Sequence, residues 1–255
     1  MTFSMPRSLA CLWCSLALAG CAAVPVEIPG QRADADARAA VHTQLALGYL
    51  QRDQKQTALD EVQVALEISP DHSQANYVMA MLQTQLNHAE NADLHYRRAL
   101  ESDPQNSIAA HDYAIFLCGR GRVEEAMGYF ESALNNPLYE GKTLTNLRAG
   151  ECLIKMRTDR RGAEPYFRTA LKANPRLGPA LYYLADIAYA RREYLDARAY
   201  IERYFAVERD TPASLLLAVK IESRLSAEDV AREYAARLRK NFGSSDEAKK
   251  LKIYQ

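Results

Sequence analysis

The sequence predicts an all-α fold, a superhelical solenoid of six helix pairs with a C-terminal capping helix. Two ladders of small residues predict it. Six alanines follow one another at steps of 34, 34, 37, 34 and 34 residues, at Ala58, Ala92, Ala126, Ala163, Ala197 and Ala231. Behind them lies a second ladder in which a leucine follows each alanine, at Ala65, Ala99, Ala133 and Ala170. Small residues at a fixed period indicate helices that cross closely in a repeated unit.

The repeated unit is clearest between His111 and Leu134, where two short amphipathic segments are joined by Gly119-Arg120-Gly121. Proline closes three copies of the unit, at Pro70, Pro104 and Pro175, because a residue without an amide hydrogen ends a helix. A period of 34 residues with this small, aromatic and proline pattern matches the tetratricopeptide (TPR) repeat, which has two antiparallel helices per unit. We predict TPR units over residues 39–72, 73–106, 107–143, 144–177, 178–211 and 212–243.

Three local features depart from the regular unit. The step of 37 residues between Ala126 and Ala163 predicts an insertion, which we assign to a loop over residues 137–142. Pro165 is predicted to lie in the first turn of its helix, where a missing amide hydrogen is tolerated, so that this helix starts late. Ser244-Ser245-Asp246-Glu247 has the pattern of a capping box and predicts a polar closing helix within residues 244–255.

Composition favours a scaffold that binds protein. The chain has 255 residues, with 32 basic and 32 acidic side chains. This balance lacks the basic excess of a nucleic-acid-binding surface. The five histidines are scattered, and no His-Glu-x-x-His motif or cysteine cluster at zinc spacing is present in the sequence. We therefore predict a protein without catalytic activity, cofactor, metal site, nucleic-acid partner or small-molecule substrate.

The N-terminus has the form of a lipoprotein signal peptide over residues 1–20. Its apolar run, residues 9–19, is too short to span a bilayer. The run ends in Leu18-Ala19-Gly20-Cys21, which resembles the bacterial lipobox and predicts cleavage before Cys21 and lipidation of its thiol. Ala22 follows the cysteine in place of aspartate, which by analogy with enterobacterial lipoproteins predicts the periplasmic face of the outer membrane. Residues 21–38 are predicted to form a lipidated tether that is extended in its proline-containing part.

A binding groove is predicted on the first helices of the units, which line the concave side of a TPR solenoid. Helical spacing places five apolar residues there, Leu47, Leu50, Tyr77, Met81 and Ile115, with Cys118 beside them. The matching positions of the last three units are mixed, with Arg148, Cys152, Lys155, Tyr182, Asp186, Tyr189 and Lys220. The alternative is that some of the apolar residues pack beneath a neighbouring helix. An exposed apolar strip over three units would bind an amphipathic helix or an extended peptide.

A disulfide is predicted between Cys118 and Cys152. Apart from Cys21, these are the only cysteines that remain after the signal peptide is removed. They fall on the first helices of adjacent units, and an exported protein meets an oxidising compartment. The alternative is two unpaired core cysteines, since a bridge requires a Cα separation below about 7 Å.

Several motifs together resemble one family. They are the lipobox with six TPR units, Phe116-Leu117-Cys118-Gly119-Arg120-Gly121 with Ala126 and Phe130, Asn135-Asn136-Pro137-Leu138-Tyr139, Asn146, Ala149-Gly150-Glu151-Cys152 and Tyr200-Ile201-Glu202-Arg203-Tyr204. This set resembles the type IV pilus biogenesis and stability lipoproteins (PilF/PilW), often called pilotins, over nearly the whole chain. The resemblance implies a non-enzymatic adaptor that binds the secretin subunit of the pilus apparatus and promotes its outer-membrane localisation and multimerisation. The alternative is a TPR lipoprotein that serves another envelope machine, for outer-membrane protein assembly or cell-wall synthesis.

Overall fold

The computed structural model describes residues 29–157 and 159–251, which form thirteen helices and no strand. The predicted signal peptide and the lipidation site Cys21 lie outside the described residues. The helices are α1 Pro29–Gln51, α2 Lys55–Ile68, α3 Ser73–Gln85, α4 Ala89–Ser102, α5 Ser107–Gly119, α6 Val123–Asn135, α7 Lys142–Arg157, α8 Arg160–Ala173, α9 Gly178–Ala190, α10 Tyr194–Phe205, α11 Pro212–Arg224, α12 Glu228–Phe242 and α13 Asp246–Lys250. The first twelve form six antiparallel pairs, which confirms the predicted all-α solenoid.

The alanine ladder lies on the second helix of every pair and is buried. An aromatic or aliphatic residue follows four positions later, at Tyr96, Phe130, Phe167 and Ile201, and is also buried. Residues four apart share one face of a helix, so each second helix presents one small and one large residue to its partner helix. The core is therefore a ribbon that runs from pair to pair, with each unit packed only against its neighbours.

A residue in the left-handed conformation recurs in the turn between the two helices of a unit. It is Gly121 in the third unit, where φ is 76°. Other units use a residue with a side chain, at Asp53, Asn87, Arg192 and Ser226, with φ between 57° and 66°. The glycine motif at residues 119–121 is therefore a helix turn, and the same turn forms elsewhere without glycine because the packed helices impose it.

The fourth unit has a longer turn than its neighbours. The amide of Arg122 donates to the carbonyl of Leu117, five residues back, and the other regular turns repeat this bond. In the fourth unit the amide of Asp159 donates to Leu153, six residues back. One extra residue therefore lies in this turn, and two lie between the third and fourth units. The prediction that residues 137–142 contain the whole insertion is wrong, because sequence spacing alone does not divide three residues between two turns.

Pro165 lies inside its helix and not in the first turn. The helix α8 begins at Arg160, because the Asp159 side chain accepts the Gly162 amide at 2.9 Å and caps it there. Pro165 is therefore the sixth residue, and its missing amide hydrogen removes one helical hydrogen bond. The predicted late start of this helix is wrong.

Both ends of the solenoid differ from the predictions. Helix α1 begins at Pro29, so residues 29–38 are helical and the predicted tether 21–38 is too long. Proline is well tolerated at the first helical position, and the Ser69 hydroxyl, which donates to Asp36 at 2.6 Å, fixes this extension to the next loop. At the other end Ser245 caps α13 by accepting the Ala248 amide. Glu247 is one position too early to reach back, so the predicted capping box does not form.

Candidate peptide-binding groove

The first helices α1, α3, α5, α7, α9 and α11 line the concave side of the solenoid. We define the groove row as their six equivalent outward positions, Leu47, Met81, Ile115, Glu151, Asp186 and Lys220. The fourth member, Glu151, lies 36 residues after Ile115 and not 34, because two inserted residues precede α7. In this register Gly150 of α7 is equivalent to the small Ala114 of α5. A Cβ atom on Gly150 would lie 2.7 Å from the Phe167 ring, so this register is fixed by the packing. The row is apolar in the first three units and charged in the last three.

The structure places four of the five predicted apolar groove residues at least partly on the surface. Ile115 is 38% exposed, while Leu47, Leu50 and Met81 are half-buried and pack against the core with part of their side chains. Tyr77 differs from the prediction, because it is only 6% exposed and its ring belongs to the core. Its hydroxyl donates to Asp112, which is partly exposed in the groove. The predicted groove position therefore applies to Leu47, Leu50, Met81 and Ile115, and the alternative core position applies to Tyr77.

Two residues of the groove were missed by the sequence reasoning. Ile108, near the start of α5, is 57% exposed, and the Asp112 side chain is 32% exposed. With Ile115 they have the spacing i, i+4 and i+7, which places all three on one face of the helix. That spacing is visible in the sequence and was the signal that could have identified them. The solvent-facing stripe of α5 is thus an acid between two isoleucines.

Asp112 is the centre of a partly buried polar cluster. The Tyr77 hydroxyl donates to its Oδ2 atom at 2.6 Å, and burial, followed by the charge of Asp112, raises the pKa of Tyr77 well above its usual value. The Oδ1 atom lies 4.0 Å from Nε2 of His111. Burial lowers the pKa of His111, an effect that Asp112 opposes in part. His111 is therefore neutral at neutral pH, with its Nδ1 hydrogen-bonded to the Thr145 hydroxyl at 2.8 Å.

The two acidic members of the groove row, Glu151 and Asp186, form ion pairs within the protein. Arg148 donates to Glu151 at 2.8 Å, and Lys155 lies 3.7 Å from the same carboxylate. Arg160, at the start of α8, contacts Asp186 at 3.0 Å. Because removing charged groups from water is costly, covering this surface with an apolar segment is less favourable than covering the aliphatic half. Tyr182 and Tyr189 pack partly against the core, and burial raises the pKa of Tyr182 to about 12.

A disulfide joins the two halves of the groove. Cys118 on α5 and Cys152 on α7 are bonded, with their Cα atoms 5.9 Å apart. The bond closes a loop that contains the insertion between the third and fourth units. It therefore restrains the junction where the regular 34-residue step is broken.

The described part of the chain contains neither a metal-binding cluster nor a membrane-spanning helix. Within residues 29–157 and 159–251, no group of three or more histidine, cysteine, aspartate or glutamate side chains is arranged to hold a metal ion. No helix in the same ranges is long and apolar enough to cross a membrane. Histidines in the first helix pairs are engaged by neighbouring side chains, as His42 is with Glu61 and His95 with Asn76. The groove is thus the candidate site.

The chain is similar in sequence to a known pilus protein. It is 30% identical over 205 residues to the type IV pilus assembly protein PilF of Pseudomonas aeruginosa, a match that covers 80% of this chain and 81% of that protein. It is also 30% identical over 101 residues to an uncharacterized protein of Haemophilus influenzae, covering 40% of this chain and 56% of that one. No protein-family model matches the chain.

Solved structures give the same result. The structure of Pseudomonas aeruginosa PilF matches with a TM-score of 0.76 at 28% identity, over 88% of this chain and 99% of that chain. PilW, a widely conserved type IV pilus biogenesis factor, matches with a TM-score of 0.69 at 32% identity, over 84% and 97% of the two chains. The TPR protein YrrB, at 17% identity and a TM-score of 0.58, supports the fold alone. The chain therefore belongs to the PilF/PilW family of TPR proteins that act in type IV pilus biogenesis.

Proposed function

We propose that this protein is an outer-membrane lipoprotein that binds the secretin subunit of the type IV pilus apparatus and promotes its localisation and multimerisation. Lipid on Cys21 anchors it to the periplasmic face of the outer membrane, and it acts as a scaffold rather than as a catalyst. Membership in a family of pilus biogenesis factors supports this function. The Leu18-Ala19-Gly20-Cys21 motif supports the anchor.

The observation that carries the proposal is the apolar half of the groove row. Leu47, Met81 and Ile115 lie at equivalent positions of three consecutive units and all keep part of their side chains outside the core. Covering aliphatic surface contributes about 25 cal/mol per Å², and an apolar strip in the groove of a helical solenoid fits an amphipathic helix or an extended peptide. A segment of the secretin subunit occupies this strip.

The proposal is tested by placing charge in the strip. We expect the double variant Met81→Glu with Ile115→Glu to fold normally and to abolish secretin multimers, because two carboxylates would lose their hydration on docking. Leu195→Glu is the matched control, since Leu195 is a leucine on α10 that is 70% exposed and lies outside the groove. Heat-resistant secretin multimers on gels and co-purification of the subunit from membranes are the measurements.

A separate variant, Cys21→Ser, tests the proposed lipid anchor. We expect Cys21→Ser to leave the protein unacylated and to remove it from the outer-membrane fraction, with palmitate labelling and fractionation as the measurements.

Normal multimers in the groove variant would exclude the strip as the binding site. Co-purification of a different envelope complex, with no secretin, would favour another assembly machine as the partner.

A further inference from the structure

A carboxylate that pairs with no lysine or arginine of the described residues lies in the middle of the exposed apolar stripe of α5. Asp112 is four residues after Ile108 and three residues before Ile115. The helical rise of about 1.5 Å per residue places it roughly 6 Å and 4.5 Å from them along the axis. Its side chain is partly exposed, so a molecule that covers both isoleucines also covers the carboxylate.

The contacts of Asp112 leave its charge uncompensated. Its hydrogen bond from the Tyr77 hydroxyl comes from a neutral group. His111, 4.0 Å away, is kept neutral at neutral pH because burial lowers its pKa. Arg148 takes the equivalent position of the next unit, but its guanidinium is engaged by Glu151. Throughout the described ranges, no lysine or arginine forms an ion pair with Asp112.

Six other buried or part-buried carboxylates of the solenoid differ from Asp112. Each forms an ion pair with an arginine, namely Asp93, Glu151, Glu164, Asp186, Asp210 and Glu222. Removing a carboxylate from water is costly unless a cation compensates the charge. Asp112 tolerates its position because about a third of its side chain, 32%, is exposed to solvent. A partner that covers this carboxylate must supply the cation itself.

We propose that Asp112 determines the specificity of the groove by selecting a segment that carries a lysine or arginine between apolar side chains. The basic group pairs with the free Oδ1 atom, and the apolar neighbours contact Ile108 and Ile115. Segments with an acidic or apolar residue at this place are rejected, because they leave a buried charge uncompensated. This inference rests on the proposed function, since it describes the partner of the same groove.

The test uses a displayed library of random 12-residue peptides as the probe. The library is selected against the full chain carrying Cys21→Ser, with its Cys118–Cys152 disulfide intact. We expect the selected peptides to contain lysine or arginine flanked by apolar residues. Their binding to Asp112→Asn should be weaker by about tenfold, the size of one charge-assisted contact. Asparagine still accepts the Tyr77 hydrogen bond, so this variant removes the charge and little else.

Two further variants make the result decisive. Asp112→Glu keeps the charge and should retain the preference for basic peptides, whereas Asp112→Lys should select acidic ones. Asp60→Asn is the matched control, since Asp60 is an exposed aspartate on the second helix α2, outside the groove, and this variant should leave the affinity unchanged. Peptides that lose binding with Ile115→Glu but bind wild type and Asp112→Asn equally would overturn this inference and leave the proposed function standing. A library that yields no peptide sensitive to Ile115→Glu would overturn both.

Discussion

The first three and the last three units share one backbone plan but present different surfaces on the concave side. The groove row carries Leu47, Met81 and Ile115 in the first half. In the second half two of its acids, Glu151 and Asp186, are held in ion pairs with arginines. The buried positions of both halves use the same alternation of small and large residues. Folding and recognition therefore draw on different residues of the same helices, because core packing constrains only the covered faces.

The junction between the halves differs from the regular steps. It has a longer turn, a disulfide and a glycine where α5 has Ala114. The longer turn contains one of the three inserted residues, whereas the disulfide fixes α7 against α5 and the packing of Gly150 against Phe167 fixes α7 against α8.

The first prediction removes the covalent link between the halves. We expect Cys118→Ala with Cys152→Ala to lower the free energy of unfolding by about 2 to 4 kcal/mol, because the bridge restricts the unfolded chain. Thermal and urea unfolding with and without a reductant are the measurements. Reductant should lower the stability of the wild type to that of the double variant and leave the variant unchanged. Equal stability of the oxidised wild type and the variant would contradict the prediction.

The second prediction compares alanine substitutions at two helical glycines, one on either side of the junction. A Cβ atom on Gly150 would meet the Phe167 ring at 2.7 Å, whereas one on Gly128 meets nothing within 4 Å. We expect Gly150→Ala to destabilise the protein by about 1 to 3 kcal/mol through overpacking. Gly128→Ala is the matched control and should be neutral or stabilising by up to about 1 kcal/mol, since alanine favours a helix interior. If both variants unfold alike, the Phe167 contact does not fix the register of α7.

The third prediction uses the distribution of histidines, all five of which precede Cys118 in the chain. Burial lowers the pKa of His72, His95 and His111 below the ordinary value of 6.5. Their neutral forms are therefore favoured by folding, so that this contribution is present above about pH 6.5 and is lost as pH falls from there towards the folded-state pKa values. Acidification should loosen the first half of the solenoid selectively.

Hydrogen exchange at pH 7.5 and at pH 5.5, corrected for intrinsic rates, is the measurement. We expect faster exchange in α3 to α5 at the lower pH and little change in α9 to α12, which contain no histidine. His111→Gln should remove part of the difference, since glutamine does not gain a proton. A uniform change along the chain would mean that the histidines do not set the acid response.

The sequence by itself determined the repeat plan. The alanine ladder, the proline stops and the cysteine positions predicted the helix pairs and the disulfide, because close helix crossings require small residues at a fixed period wherever they occur. It also identified the apolar half of the groove, since Leu47, Met81 and Ile115 recur at the repeat spacing. These features depend on the repeat period and on residue type, and both can be read from the amino-acid sequence.

Only the tertiary structure decided which side chains of a helix face are covered and how the insertion is divided. Tyr77 and Ile115 have similar positions in the pattern, but the ring of Tyr77 is covered while Ile115 remains exposed. Asp112 became recognisable as an uncompensated charge only when the neighbours on α3 and α7 were known. The division of the 37-residue step rests on the packing of Gly150 against Phe167. Such outcomes depend on contacts between different helices, and spacing along one chain does not encode them.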